Sequence, residues 1–244
     1  MPASSNFNQA IREAQTRAIV GPNVLQKALP YVGGGMALTS FGALGGLTLS
    51  LSKSPIYGPL FFVAIIAQLV LFFVASSAAN NANNTKALPL LATYSLLTGF
   101  TLSGIIAYAA ITIGVGSIAT AALATGITFL IASYTGQRMS DNVGQALSGV
   151  VGLGLIGLVI AMVVQIIGSL FIGGGMPQGF ELMISGFGTV LFVGMSFVDF
   201  YTMPRRYTDD QYLAGALGMY LTYINLFVFI LRLMIALNGG GRRD

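Results

Sequence analysis

The chain has 244 residues, of which 55% are hydrophobic and 7% are charged, whereas a soluble domain carries about 25% charged residues. Eleven Lys and Arg with seven Asp and Glu cannot cover the surface of a folded protein of this length, so the composition indicates a protein embedded in lipid. Because Cys and His are absent, disulfides, thiolate or imidazole metal sites and His-based catalysis are excluded.

The charged residues divide the chain into apolar intervals, and about 20 residues of helix cross roughly 30 Å of hydrocarbon. Interval 87–137 is long enough for two helices, with Gly114-Val115-Gly116 as the predicted turn between them. We therefore predict an all-α membrane protein, since blocks such as Leu60 to Val74 lack the alternating polarity of barrel strands. Its seven transmembrane helices are predicted at 28–51, 57–79, 87–110, 116–135, 145–171, 181–203 and 212–237.

A polar segment, residues 1–27, precedes the predicted transmembrane domain, 28–237, and a polar tail, residues 238–244, follows it. Segment 1–27 is too polar for a cleaved signal peptide. Its apolar residues follow helical spacing opposite charged ones, which predicts an amphipathic helix on the cytoplasmic membrane surface. A short solvated helix is the alternative. The apolar residues are Phe7, Ile11, Ala14 and Ala18.

The orientation follows from Lys and Arg in short loops, which favour the cytoplasmic side. The side of the N-terminus carries seven of these residues and the other side three, so we predict a cytoplasmic N-terminus, in a prokaryotic plasma membrane or another energy-transducing membrane. The charges are too dispersed for a nucleic-acid site. The seven are Arg12, Arg17, Lys27, Lys86, Arg138, Arg205 and Arg206, and the three are Lys53, Arg242 and Arg243.

Small residues recur at every fourth position of the third predicted helix. Ser95, Gly99, Ser103 and Ala107 form a smooth stripe over three turns, and small residues let helices in lipid approach closely. This stripe predicts helix packing and a central third helix. The alternative is that hydroxyl groups of this helix line a polar path for an ion.

Three charged residues lie inside predicted spans, where charge is costly and marks a functional candidate. Glu181 and Arg232 are close to span ends, where they can anchor the protein at the membrane surface. Asp199 follows seventeen uncharged residues and is too short to reach far toward water. An ion pair of Asp199 with Arg205 or Arg206 is the alternative to a functional carboxylate, and these arginines could latch Asp199 in a closed state.

The last two predicted helices carry a specific resemblance. Residues 188–203, with Asp199 near the end, and 214–234, with Asn225-Leu226-Phe227, resemble the last two helices of the Bax inhibitor-1 family. Residues 96–103 are similar to its third-helix signature and 136–141 to its short basic loop. The resemblance spans most of residues 25–237. It implies a bundle in which six helices surround a hydrophobic seventh.

Bacterial members that resemble this chain are pH-sensitive calcium leak channels, and one branch modulates a membrane-anchored ATP-dependent protease. The family's pH sensor is a pair of Asp residues that share a proton between the sixth and seventh helices. Here Asp199 matches the first, but Thr222 stands where the second is expected. The resemblance therefore implies an incomplete sensor. Asn225, on about the same face as Thr222, extends a polar strip toward the bundle interior, although a simple interhelical hydrogen bond is the alternative.

Two functions follow as expectations: a calcium leak through Asp199, Thr222 and Asn225, or a non-enzymatic accessory subunit that binds another membrane protein complex. An enzyme is not expected, because a serine protease lacks its base, an aspartyl protease lacks its second intramembrane Asp, and no glycine run has the pattern of a phosphate loop. No cofactor or metal site is predicted. The expected partners are the lipid bilayer, calcium and another membrane protein complex.

Overall fold

The computed structural model of the chain describes residues 19–172 and 178–239. These residues form seven α-helices long and apolar enough to cross a membrane, which confirms the predicted all-α bundle. The helices are α1 Val24–Leu51, α2 Tyr57–Asn80, α3 Asn84–Thr112, α4 Val115–Gly136, α5 Asp141–Ile172, α6 Gln178–Arg206 and α7 Tyr212–Gly239. Most of the predicted amphipathic segment 1–27, and the end of the tail, lie outside the described residues.

Two helix boundaries matter for the site. Gly114 separates α3 from α4 with φ +85°, a backbone conformation that glycine adopts without strain, so the turn lies where the sequence predicts it. Helix α6 continues through Pro204 to Arg206 instead of ending at 203. Asp199 therefore lies about two turns inside α6, about 10 Å from its end at 1.5 Å per residue.

Helix α7 occupies the centre of the bundle. It packs against α1, α2, α3, α4 and α6, and several of the largest fully buried side chains belong to it: Leu213, Met219, Leu226 and Leu231. A helix surrounded by others can be apolar on every face. By contrast, α2 and α5 expose most of their apolar side chains and form the periphery.

Helices α1 and α3 pack backbone against backbone. A Cβ atom added at Gly99 would overlap the Thr39 carbonyl oxygen of α1, and one added at Gly42 would overlap the Leu96 carbonyl oxygen of α3. Of the predicted stripe, Ser95, Gly99 and Ser103 are buried in this interface and Ala107 is half-buried. Glycine is required here because only its missing side chain permits this approach.

The loop between α6 and α7 docks on the membrane face where α1 begins, which we call the N-terminal face. The amide groups of Val20 and Gly21 donate to the Pro204 carbonyl oxygen at 2.8 and 3.0 Å. The amide of Asn23 donates to the Asp209 carboxylate at 2.9 Å, and the Gln211 side chain donates to the Asn80 carbonyl oxygen at 2.6 Å. These hydrogen bonds fix the end of α6 and the start of α7 against the N-terminal face of the bundle.

Candidate functional site

Asp199 lies on the wall of a cavity at the N-terminal face. The residue is only 9% exposed, and its Oδ2 atom is buried without a hydrogen-bond partner among the described residues. The cavity has a volume of about 570 Å³ and is lined by α5, α6 and α7, with Gly152 of α5 and Gly218 of α7 among its lining residues. A buried carboxylate oxygen without a partner is costly in a folded protein, so its presence points to a function.

Thr222 faces Asp199 from α7, at the position that the resemblance indicates. The two meet because α7 begins at the N-terminal face with Tyr212 and α6 extends to Arg206. The Thr222 hydroxyl also donates to the Gly218 carbonyl oxygen of its own helix at 3.3 Å. The Thr222 side chain thus contacts the Asp199 carboxylate, whose Oδ2 atom has no hydrogen-bond partner among the described residues.

Asn225 is half-buried one turn further along α7. Its amide group donates to the Leu221 carbonyl oxygen of the same helix at 2.9 Å. Asn225 does not line the Asp199 cavity. The structure thus brings Thr222, but not Asn225, to the carboxylate.

The two predicted latch residues do not occupy equivalent positions. The Arg205 guanidinium pairs with Asp141, the first residue of α5, at 3.1 Å, donates to the Tyr201 carbonyl oxygen at 2.7 Å, and lies 4.1 Å from the centre of the Tyr201 ring. Arg206 is exposed at the rim of the cavity and lies over Tyr207 at 5.5 Å. Arg205 thus ties α6 to α5.

A second polar cluster lies on the opposite face of the bundle. The Arg232 guanidinium of α7 binds both carboxylate oxygens of Glu181 of α6, at 2.8 and 3.0 Å. It also donates to Gln165 of α5 at 3.2 Å. Glu181 and Arg232, which the sequence presents as two separate anchors, therefore form one ion pair that joins three helices.

Apolar side chains fill the space between the two polar clusters. Phe192 of α6 stacks on Phe229 of α7 with ring centres 5.4 Å apart. Leu158 of α5 and Leu226 of α7 are buried in the same core cluster. In this state the Asp199 cavity is closed toward the opposite face.

The hydroxyl groups of α3 are paired with neighbouring helices. Gln68, near the middle of α2, donates to Thr98 and accepts from Thr101, each at 3.0 Å. Ser103 is hydrogen-bonded to Tyr57 at 3.0 Å. These pairs satisfy polar groups at mid-membrane, as helix packing in lipid requires, and they occupy the hydroxyls that would otherwise line a path.

Sequence reasoning missed two members of these clusters, Gln165 and Asp141. Gln165 has one usable signal, since it is a lone amide in a long apolar run of α5. Asp141 begins α5 next to loop charges and has no such signal. Among the described residues, no three His, Cys, Asp or Glu side chains lie close enough together to hold a metal ion.

The sequence was compared with known proteins. Residues 21–239 match the family described as inhibitor of apoptosis-promoting Bax1. A membrane protein of Streptococcus pyogenes serotype M1, described as uncharacterized, is 35% identical over 193 residues, which is 76% of each chain. An uncharacterized protein of Borreliella burgdorferi is 30% identical over 71% of this chain and 74% of its own length.

A shorter match links the chain to a eukaryotic protein. Bax inhibitor 1 of Schizosaccharomyces pombe is 35% identical over 54 residues, which is 22% of this chain and 20% of that protein. The family match, by contrast, covers all seven helices and includes Asp199 and Thr222 together with Arg205 and Arg232. This integral membrane protein therefore belongs to the Bax inhibitor family.

Proposed function

We propose that this protein is a non-enzymatic leak for cations, with calcium as the ion that the family resemblance implies. The observation that carries the proposal is the Oδ2 atom of Asp199, which is buried without a partner beside a cavity of about 570 Å³. A carboxylate in such a place offers a cation a compensating charge inside the membrane.

Permeation also requires that the bundle open beyond the cavity. The Phe192 and Phe229 rings and the Glu181–Arg232 ion pair stand between Asp199 and the opposite face. A passive leak with a low open probability fits a protein that is closed by such contacts. The free energy of these contacts then determines how often a path forms.

The test is calcium entry into liposomes that contain the purified protein and an internal calcium dye. We expect Asp199→Asn to lower the entry rate about tenfold, because the amide keeps the size of the side chain but removes its charge. Asp210→Asn is the matched control, since Asp210 is an exposed acid in the loop on the same face. Its entry rate should equal that of the wild type.

Three results would contradict the proposed leak through Asp199. The first is an entry rate no higher than that of protein-free liposomes. The second is an unchanged rate in Asp199→Asn, which would place any path away from this carboxylate. A fall in both variants would indicate a general effect of surface charge and would also count against the proposal.

A second candidate is an accessory subunit of another membrane complex, which the uncharged Thr222 beside Asp199 favours because no carboxylate pair is present there. The peripheral helix α2 presents an apolar groove with α1, lined by Gly45 and Ala67.

If a partner binds this groove, purification in mild detergent should yield that partner in stoichiometric amount, and Gly45→Leu should release it. Gly33→Leu is the control, because both glycines have open space at Cβ but Gly33 lies outside the groove. A lone protein in several detergents would refute this candidate.

A further inference from the structure

The Asp199 cavity combines one buried charge with a mainly apolar wall. Besides Asp199 and polar residues such as Gln145 and Ser148, the lining includes four large apolar side chains: Leu155 of α5, Met195 and Val198 of α6, and Met219 of α7. Its volume of about 570 Å³ lies in the range of small-molecule sites, roughly 300 to 1,000 Å³. This is the chemistry of a pocket for an organic molecule that carries one positive group.

We propose that the cavity binds a primary ammonium group carried on a compact hydrocarbon body. The ammonium pairs with the carboxylate of Asp199, which lines the cavity, and the hydrocarbon body lies against the Leu155 and Met219 side of the wall. Stable coordination of calcium takes six to eight oxygen ligands, whereas Asp199 is the one carboxylate in the lining of this cavity. A calcium ion can therefore pass this carboxylate, but the cavity suits a bound monovalent cation better than bound calcium. The inference uses the carboxylate of the proposed leak but requires no path through the bundle.

The charges around the cavity determine how an ammonium enters. Arg205 is neutralised by Asp141. Arg206 lies seven residues after Asp199, which places it on about the same face of α6, roughly 10 Å closer to the membrane surface. Because Arg206 is exposed at the rim, it repels an approaching cation. Removal of this charge should strengthen binding.

Open space at two glycines of α5 provides a matched steric test. A Cβ atom at Gly152 or at Gly149 would have no atom within 4 Å, so both positions accept a larger side chain without backbone overlap. Gly152 lines the cavity and Gly149 does not. A leucine at 152 therefore takes up part of the pocket, while position 149 lies outside its lining.

The experiment measures binding of cyclohexylammonium to the full chain in detergent, by calorimetry and by the shift of the thermal unfolding midpoint. Cyclohexanol, which has the same body without the charge, is the control ligand. We expect saturable binding of the amine alone, at least tenfold weaker binding in Asp199→Asn, and weaker binding in Gly152→Leu. Gly149→Leu should bind as the wild type does, and Arg206→Ala should bind more tightly.

The source of the ammonium can be a free amine or the headgroup of an aminophospholipid. Competition with cyclohexylammonium by vesicles of phosphatidylethanolamine, but not of phosphatidylcholine, would assign the ammonium to a lipid, because choline has no N–H donor. Lack of competition by both lipids would assign it to a free amine. Either result supports the site.

Equal binding of cyclohexanol, or unchanged binding in both Asp199→Asn and Gly152→Leu, would overturn the inference. Its failure is distinguishable from that of the leak. Ammonium binding without calcium entry would refute the leak and leave the pocket, whereas calcium entry that depends on Asp199 without ammonium binding would refute the pocket alone.

Discussion

The ion pair between Glu181 and Arg232 should contribute measurably to the stability of the bundle. Arg232→Met removes the guanidinium and keeps an unbranched apolar side chain, which leaves the partly buried Glu181 carboxylate hydrogen-bonded to Gln165 but without its counter-ion. Glu181→Gln removes the opposite charge. If the two groups stabilise each other, the double variant loses less free energy of unfolding than the two single variants together.

The expected coupling follows from the geometry and exposure of the pair. Its two hydrogen bonds are bidentate, at 2.8 and 3.0 Å, and the side chains are 18% exposed for Arg232 and 30% for Glu181. Exposed pairs contribute about 0.2 to 1 kcal/mol, whereas breaking a fully buried pair costs about 3 to 5 kcal/mol. We place the coupling energy of this half-buried pair at about 1.5 kcal/mol, roughly a tenfold change in the unfolding constant.

The assay is reversible unfolding in mixed micelles of detergent and sodium dodecyl sulfate, read by circular dichroism for the four members of a double-mutant cycle. The Arg205–Asp141 pair is a control of similar exposure, 20% and 27%, but with one contact at 3.1 Å. Its coupling should be smaller, about 0.5 kcal/mol. A coupling for Glu181 and Arg232 no greater than that of the control would refute the reasoning from bidentate geometry.

Two further predictions concern α3 and the carboxylate. Gly99→Ala would place Cβ 2.7 Å from the Thr39 carbonyl carbon and should destabilise the protein by about 1 to 3 kcal/mol in the same unfolding assay. The control variant Gly104→Ala, whose Cβ has its nearest contact at 3.7 Å, should be neutral or stabilising. Equal effects of the two variants would contradict backbone contact between α1 and α3. Thr222→Asp places a second carboxylate opposite Asp199, so that two close groups share protons, and should change the pH profile of calcium entry. Identical pH profiles would show that the two positions do not interact.

The sequence alone was sufficient for the number of helices and for the turn at Gly114. Charge is so costly in hydrocarbon that the gaps between charged residues define the spans. The sequence alone was not sufficient to predict the ion pairs. Glu181 and Arg232 are 51 residues apart, and their contact depends on how α6 and α7 are rotated in the bundle.

The partner of Arg205 shows the same limit within one helix. Arg205 lies six residues after Asp199, which is about 240° around α6 at 3.6 residues per turn. The two side chains therefore leave the helix on different faces, and Arg205 reaches Asp141 instead. Arg206 returns to the face of Asp199 but lies two turns away. Helical geometry excludes the nearer latch, although proximity in sequence suggests it.

The peripheral helix α5 connects the two clusters into one arrangement. It packs mainly against α6, and polar ties hold it at both ends, through Asp141 to Arg205 and through Gln165 to Arg232. The cavity of Asp199 lies on its side toward α7. Displacement of α5 from α7 would therefore widen this cavity while leaving the packing of α1 to α4 around α7 intact. The polar contacts of Asp141 and Gln165, together with the apolar packing of α5 on α6, then set the free energy for exposing the buried carboxylate.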